Sequence, residues 1–145
     1  MLTTETNQDY RAEYSASIGA RDIYITVKRY ADGMSYNAGQ IWVTVEERVY
    51  CPAPSTHSFD KFLFDCHVSE ATNDLDAIRT AFRDQWQQLR GFVRNWNQFR
   101  EWARWHQRGK RGYYTKHANQ YKARIPAQAA QWKLCKQLWK EITKL

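Results

Sequence analysis

Six arginines in one stretch of the chain have the spacing of a single helix face. At about 100° per residue, Arg79, Arg83, Arg90, Arg94, Arg104 and Arg108 fall within one sector of roughly 80°. Asn97 and Glu101 share that sector, which borders an apolar stripe rather than opposing it. A guanidinium offers a planar fork of donors that matches a phosphate, so arginines a turn apart along a helix suit a polyanionic backbone. The same pattern also describes a solvated flank whose aliphatic stems cover apolar surface and whose charges pair with acids elsewhere in the chain.

Two aromatic groups accompany the stripe. Trp102 and Trp105 sit roughly 120° to 180° from the apolar stripe, so the packing that accounts for Trp86 and Trp96 does not account for them. They are expected to stack bases or contact a partner, unless the C-terminal helix covers them. Lys110, Arg111 and Lys116 interleave with Tyr113 and Tyr114 behind a Gly109–Gly112 break. That order suits a loop that grips phosphates and stacks a base. Lys133, Lys136, Lys140 and Lys144 make the wet face of a last amphipathic helix; its Trp132, Leu138 and Trp139 are needed to cover a core, which argues against a membrane surface.

Catalytic chemistry finds no comparable spacing. His57, His67, His106 and His117 form no HExxH pattern, and no Walker loop, GxGxxG or GxSxG occurs. Neighbouring Cys66 and His67 point to opposite faces of a strand, as do Glu46 and Glu47, so neither pair makes a nucleophile with its base. No catalytic residue, metal or cofactor is expected. Asp60, Asp65 and Glu70 are the scattered carboxylates from which a nuclease would have to be assembled.

The elements that must carry these residues divide the chain in two. Residues 1–73 read as strands. Tyr10 to Ile18 alternates strictly, Gly19 to Asp22 turns, and Ile23, Ile25 and Val27 alternate with Tyr24, Thr26 and Lys28. Ala31 to Gln40 reads as a loop. Ile41, Val43, Val45 and Val49 then share one face of a third strand, which Pro52 and Pro54 close. Phe62, Phe64, Cys66 and Val68 alternate in a fourth. Short loops between such strands favour an antiparallel meander of three to four strands.

Asn73 caps a long helix with Asp74 and Asp76 in its first turn. Leu75, Ile78, Phe82, Trp86, Leu89, Val93, Trp96 and Phe99 supply its apolar stripe, to about Arg108, with Gly91 a place where it can bend. A last helix is expected from Pro126, a first-turn residue, with Leu134, Leu138, Trp139 and Ile142 on its apolar face. Residues 113–125 read equally as a helix or an ordered loop. The whole is expected to be one α+β domain over 1–145, with the long helix and the C-terminal helix packed on one face of the sheet.

Charge follows the same division. Residues 1–73 hold six Lys/Arg and ten Asp/Glu, a net −4; residues 74–145 hold sixteen and five, a net +11. So uneven a distribution points to an anionic partner for the basic half. Cys51, Cys66 and Cys135 are odd in number and widely spaced, which excludes a disulfide framework and a CxxC zinc site. They read as reduced thiols, Cys66 and Cys135 buried, in a cytoplasmic protein without signal peptide or membrane span.

A four-strand sheet followed by a helix resembles the layout of some single-strand-binding transcription cofactors, a likeness of layout alone. The expected function is that of a non-catalytic accessory protein that binds nucleic acid, or a protein complex that processes it. Self-association is a further option. The alternative is a small inhibitor or adaptor of the phage or plasmid type, contacting a protein through its aromatic patch or its acidic sheet.

Overall fold

Period-two alternation of β-branched residues is strongest where the sheet is most buried. Strand β2 (Arg21–Arg29) sends Ile23, Ile25 and Val27 to one face, and β3 (Ile41–Tyr50) sends Ile41, Val43 and Val45 to the same face. All six are buried, each contributing about 1.5–3 kcal/mol if fully withdrawn from water. With β1 (Tyr10–Ile18) and β4 (Ser58–Val68) outside them, the sheet order is β1-β2-β3-β4 and every neighbour is antiparallel. The fold is therefore α+β, a four-strand meander followed by two helices. The computed structural model describes residues 10–30, 40–105 and 108–144, with the backbone alone at 108 and 109. The loop expected over Ala31 to Gln40 lies outside them except for Gln40.

Local chemistry explains the details of the sheet. Gly19 takes a left-handed φ of 61° in the two-residue connection between β1 and β2, a conformation that costs a residue with a side chain. Ala12 and Ala16 give β1 little to bury. Two phenols hold it instead, for Tyr10 and Tyr14 each donate a 2.7 Å hydrogen bond to Asp74 Oδ2. The bond to the carboxylate, reinforced by burial, pushes the Tyr14 phenol up to about 12. β4 begins four residues before the expected Phe62. A bulge sets Val45 opposite Phe64 and Glu46 opposite Phe62, so Leu63 is extra and the alternation switches faces. Phe62 therefore leaves the face of Phe64 and is exposed. Cys66, expected to be buried, is half-buried, whereas Cys135 is fully buried and its thiol is pushed up to about 12 by that burial.

Helix α1 spans Asp74–Trp105 and α2 spans Arg108–Ile142. At the start of α1, Asn73 Oδ1 accepts the Asp76 N–H at 2.9 Å, and Asp76 in return accepts the Thr72 N–H at 2.9 Å. The Asn73 cap, with Asp76 tying the preceding residue to the first turn, fixes the helix start where the sequence puts it. Helical hydrogen bonding continues through Gly91.

The chain forms two compact units, Met1–Ala81 with Gln137–Leu145, and Phe82–Lys136. In the first, Ala77, Ile78 and Ala81 of α1 and Leu138 of α2 are buried along with the sheet's inner face. The second is an antiparallel hairpin of α1 and α2. Its seam follows three- and four-residue spacing, with Phe82, Gln85, Leu89, Phe92, Trp96 and Phe99 on α1 and Tyr114, Ala118, Tyr121, Ile125, Gln128 and Trp132 on α2.

This seam corrects two sequence expectations. α1 is described to Trp105 and α2 from Arg108, so Gly109–Gly112 lies inside a helix and not in a break, and α2 is continuous through Pro126. The seam's spacing runs on both sides of Pro126. Packing outweighs the roughly 1 kcal/mol that each glycine costs and the larger local cost of proline.

One layer of the seam is polar. Gln85 and Gln128 are buried, and Gln128 Nε2 donates to the Gln85 carbonyl oxygen at 2.9 Å and to Gln85 Oε1 at 3.0 Å. Gln131 Nε2 donates to the same Oε1. No buried side-chain polar atom among the described residues lacks a partner. A satisfied polar layer in an otherwise apolar seam specifies register.

Candidate nucleic-acid interface

Burial divides α1 differently from its apolar stripe. Ala77, Ile78, Ala81, Phe82 and Gln85 are its buried residues, and they centre the packed face roughly 50° from the middle of the stripe. Leu75 and Trp86, at the stripe's other edge, remain 40% and 38% exposed. The arginine sector borders that exposed edge. Arg79 of the first unit and Arg83, Arg90, Arg94 and Arg104 of the hairpin are all exposed. The side chain of Arg108 lies outside the described residues.

The hairpin's charge is almost unopposed. Phe82–Lys136 holds thirteen Lys/Arg against two Asp/Glu, a net +11. Its two acids serve neighbours on their own helix: Asp84 accepts from Gln88 Nε2 at 2.7 Å, and Glu101 accepts from Trp105 Nε1 at 2.6 Å. Within the hairpin no Lys or Arg forms an ion pair among the described residues.

The sheet unit behaves in the opposite way. Arg21 grips Glu47 with two nitrogens at 2.8 and 2.9 Å, and Arg48 meets Asp60 at 3.3 Å. The Arg21 bonds hold the Glu47 carboxyl below the usual carboxylate range. A flank neutralised by acids thus describes the sheet but has no counterpart inside the hairpin.

Several hairpin cations lie over aromatic rings instead. Arg100 stands 4.8 Å from the Trp96 ring centroid and Lys122 stands 5.7 Å from it. Arg124 lies 6.0 Å from Phe92 and 5.8 Å from Tyr121, and Lys136 lies 5.7 Å from Trp132. Such contacts orient a cation without neutralising it. Sequence reasoning missed Arg100, Lys122 and Arg124 and placed Lys136 only on a wet helix face. The Trp96–Arg100 spacing of four was the available signal, whereas Lys122 and Arg124 fall in the segment that reads equally as helix or loop.

Beside the arginines, the outer edge of the apolar stripe is left uncovered. Trp86, Leu89 and Val93 of α1 face Ile125 and Ala129 of α2 across a shallow groove, with Arg90, Arg94, Asn97, Gln98 and Glu101 along its rim. Trp86 also packs on Trp132, centroids 5.5 Å apart. Two arginines of the expected sector are therefore gathered around one apolar-floored groove, together with the Asn97 and Glu101 that share that sector.

Both expected stacking tryptophans are exposed, to different degrees. Trp102, 39% exposed, also meets Phe99 edge-on at 5.3 Å and Tyr114 at 5.6 Å in the hairpin's aromatic cluster. Trp105 is 73% exposed, with Arg104 5.8 Å from its ring. Phe99 also stacks on His117 at 5.2 Å and on Tyr121 at 5.7 Å. Tyr113 is 60% exposed and reaches His117 at 4.4 Å.

The segment Lys110 to Lys116 is the beginning of α2 and not a gripping loop, because Tyr114, Ala118 and Tyr121 extend the seam through it. Lys110, Arg111 and Lys116 are exposed. Arg111 also serves the hairpin's own structure, for its Nε donates to the Ala103 carbonyl oxygen at 3.2 Å and satisfies an end-of-helix acceptor of α1.

Among the described residues no group of three or more His, Cys, Asp and Glu is placed to hold a metal ion, and no helix is long and apolar enough to cross a membrane. No family model, curated protein or solved structure matches the chain.

Proposed function

We propose that the protein is a non-catalytic accessory factor that binds nucleic acid through its helical hairpin. The observation that carries this reading is the hairpin's unopposed charge, thirteen Lys/Arg against two Asp/Glu with no ion pair inside the hairpin among the described residues. Holding so many like charges close together is unfavourable for the protein alone and becomes favourable when they neutralise a polyanion and release its condensed counterions into solution. Arg83, Arg90, Arg94 and Arg104 form an exposed ridge with guanidinium forks suited to phosphate oxygens. Lys110 and Lys116 extend the basic surface onto α2. Arg111 contributes charge from a tethered position.

The test is the double charge reversal Arg90→Glu with Arg94→Glu. Both side chains are exposed, so the folded state should survive, with melting unchanged within about 0.5 kcal/mol. Affinity for labelled nucleic acid should fall by more than tenfold. The salt dependence should flatten by about 1.4 in log–log slope for a single strand, from two lost phosphate contacts at about 0.7 each. Unchanged binding by this variant removes the ridge from the account.

A second reading is favoured by the exposure of Trp105 and Tyr113. Aromatic side chains so placed are typical anchors of protein contacts, and they suit an inhibitor or adaptor directed at a protein. Trp105→Ala should then abolish capture of that partner while leaving nucleic-acid affinity negligible throughout.

A further inference from the structure

We infer that the groove beside Arg90 and Arg94 is a site for unstacked bases, so that the hairpin selects single-stranded over duplex nucleic acid. The inference rests on the reading above and adds the ligand's strandedness. A duplex keeps its bases stacked inside and presents phosphates, which need cations and no apolar floor. Here the cations come with such a floor. Trp86 is 38% exposed although it packs on Trp132, and Leu89, Val93, Ile125 and Ala129 are only half-buried. A phosphate-only ligand would leave that floor in water. A single strand can turn a base onto the Trp86 indole and the aliphatic side chains beside it, exchanging exposed apolar area for stacking.

The rim supplies what such a strand needs next to its bases. Arg90 and Arg94 are four residues apart on one helix face, so their side chains start about 5–6 Å from each other and can serve neighbouring phosphates. Asn97 and Gln98 border the same groove, and each carboxamide offers both donors and an acceptor to a base edge. Glu101, also on the rim, carries a carboxylate that accepts from Trp105. It offers acceptors only and repels phosphate, which directs the strand's backbone toward the arginines.

The experiment uses the full chain and three labelled DNA ligands in fluorescence anisotropy: a mixed-sequence single strand, its duplex, and a single strand of equal length with abasic sites throughout its centre. The abasic strand keeps every phosphate and loses only bases. The intact strand should bind at least tenfold more tightly than the abasic strand and more tightly than the duplex, with the same salt slope for the two single strands. Trp86→Ala should weaken the intact strand to the level of the abasic one and leave the abasic strand unaffected. The comparison of ligands on the unaltered protein stands even if that variant unfolds the hairpin. Equal binding of intact and abasic strands with a steep salt slope overturns the base site while leaving a phosphate-binding hairpin in place. Failure to bind any of the three overturns both. Polyglutamate competing as well as a single strand of equal charge also overturns the inference, because the groove would then be serving an acidic polypeptide.

Discussion

Replacing Gln85 and Gln128 by leucine, singly and together, probes the polar layer that decides which residues of α2 stand across from the arginine ridge. Gln128→Leu removes two hydrogen bonds, those of 2.9 and 3.0 Å to the Gln85 carbonyl oxygen and to Oε1. It also sets the 1%-exposed Gln85 amide against an apolar side chain, with Gln131 as the remaining donor to its Oε1. At about 1 kcal/mol net for each bond and a further desolvation cost, the loss should be about 2–3 kcal/mol. Gln85→Leu should cost less, about 1 kcal/mol, because Gln128 Nε2 keeps its backbone acceptor. The double variant leaves two leucines facing one another in an apolar seam, while the half-buried Gln131 can turn its amide toward water. Its cost should fall below about 1 kcal/mol, giving a coupling of about 2–3 kcal/mol between the sites. Urea and thermal melts of the four proteins, followed by circular dichroism, complete the cycle; each kcal/mol corresponds to roughly 3 °C for a chain of this size. If the single costs simply add to within about 0.5 kcal/mol, the carboxamides do not act as one layer and the argument from their hydrogen bonds is refuted.

Three further perturbations address the sheet and the aromatic cluster. Folded Tyr14 keeps its proton up to about pH 12 because it donates to Asp74, whereas an unfolded tyrosine loses its proton near 10. Between those values the unfolded state holds fewer protons, so stability should decline as pH rises from about 10 toward 12. Tyr14→Phe should be less stable at neutral pH and show a weaker alkaline decline in melts across that window; an identical alkaline profile would show that the bond contributes nothing. Gly19→Ala meets no atom within 4 Å but must adopt the positive φ, so a loss of about 1–2 kcal/mol is expected in urea titrations, and no loss would mean the turn relaxes freely. Phe99→Ala should cost about 3 kcal/mol because that ring meets four other aromatic side chains, while Trp105→Ala should stay within about 0.5 kcal/mol; equal costs in thermal melts would contradict the assignment of Phe99 to the packed cluster.

Legibility in the sequence depends on whether local pattern and packing agree. β2 and β3 alternate β-branched and polar residues and are also the most buried strands, so their period is decisive. β4 reads short because the bulge at Leu63 breaks period two, and bulges depend on the paired strand more than on their own sequence. The start of α1 is legible from Asn73, Asp74 and Asp76, whose cap is local. The course of α2 is not, because Gly109, Gly112 and Pro126 are strong local breakers overruled by a seam whose other half belongs to a different helix. The same limit applies to the candidate site. The arginine sector can be read from α1 alone. The groove floor needs Ile125 and Ala129 of α2, and Trp102 is distinguished from Trp105 by its neighbour Tyr114. The apolar stripe is visible, but its width hides which edge is buried.

The most direct test is fluorescence anisotropy of labelled single-stranded DNA titrated with the full protein across a salt series. Four ridge arginines on the hairpin, at about 0.7 each, predict a log–log slope of about −3, with micromolar or tighter binding at low salt. Absence of binding at low salt, or binding indifferent to salt, would contradict a phosphate-binding hairpin.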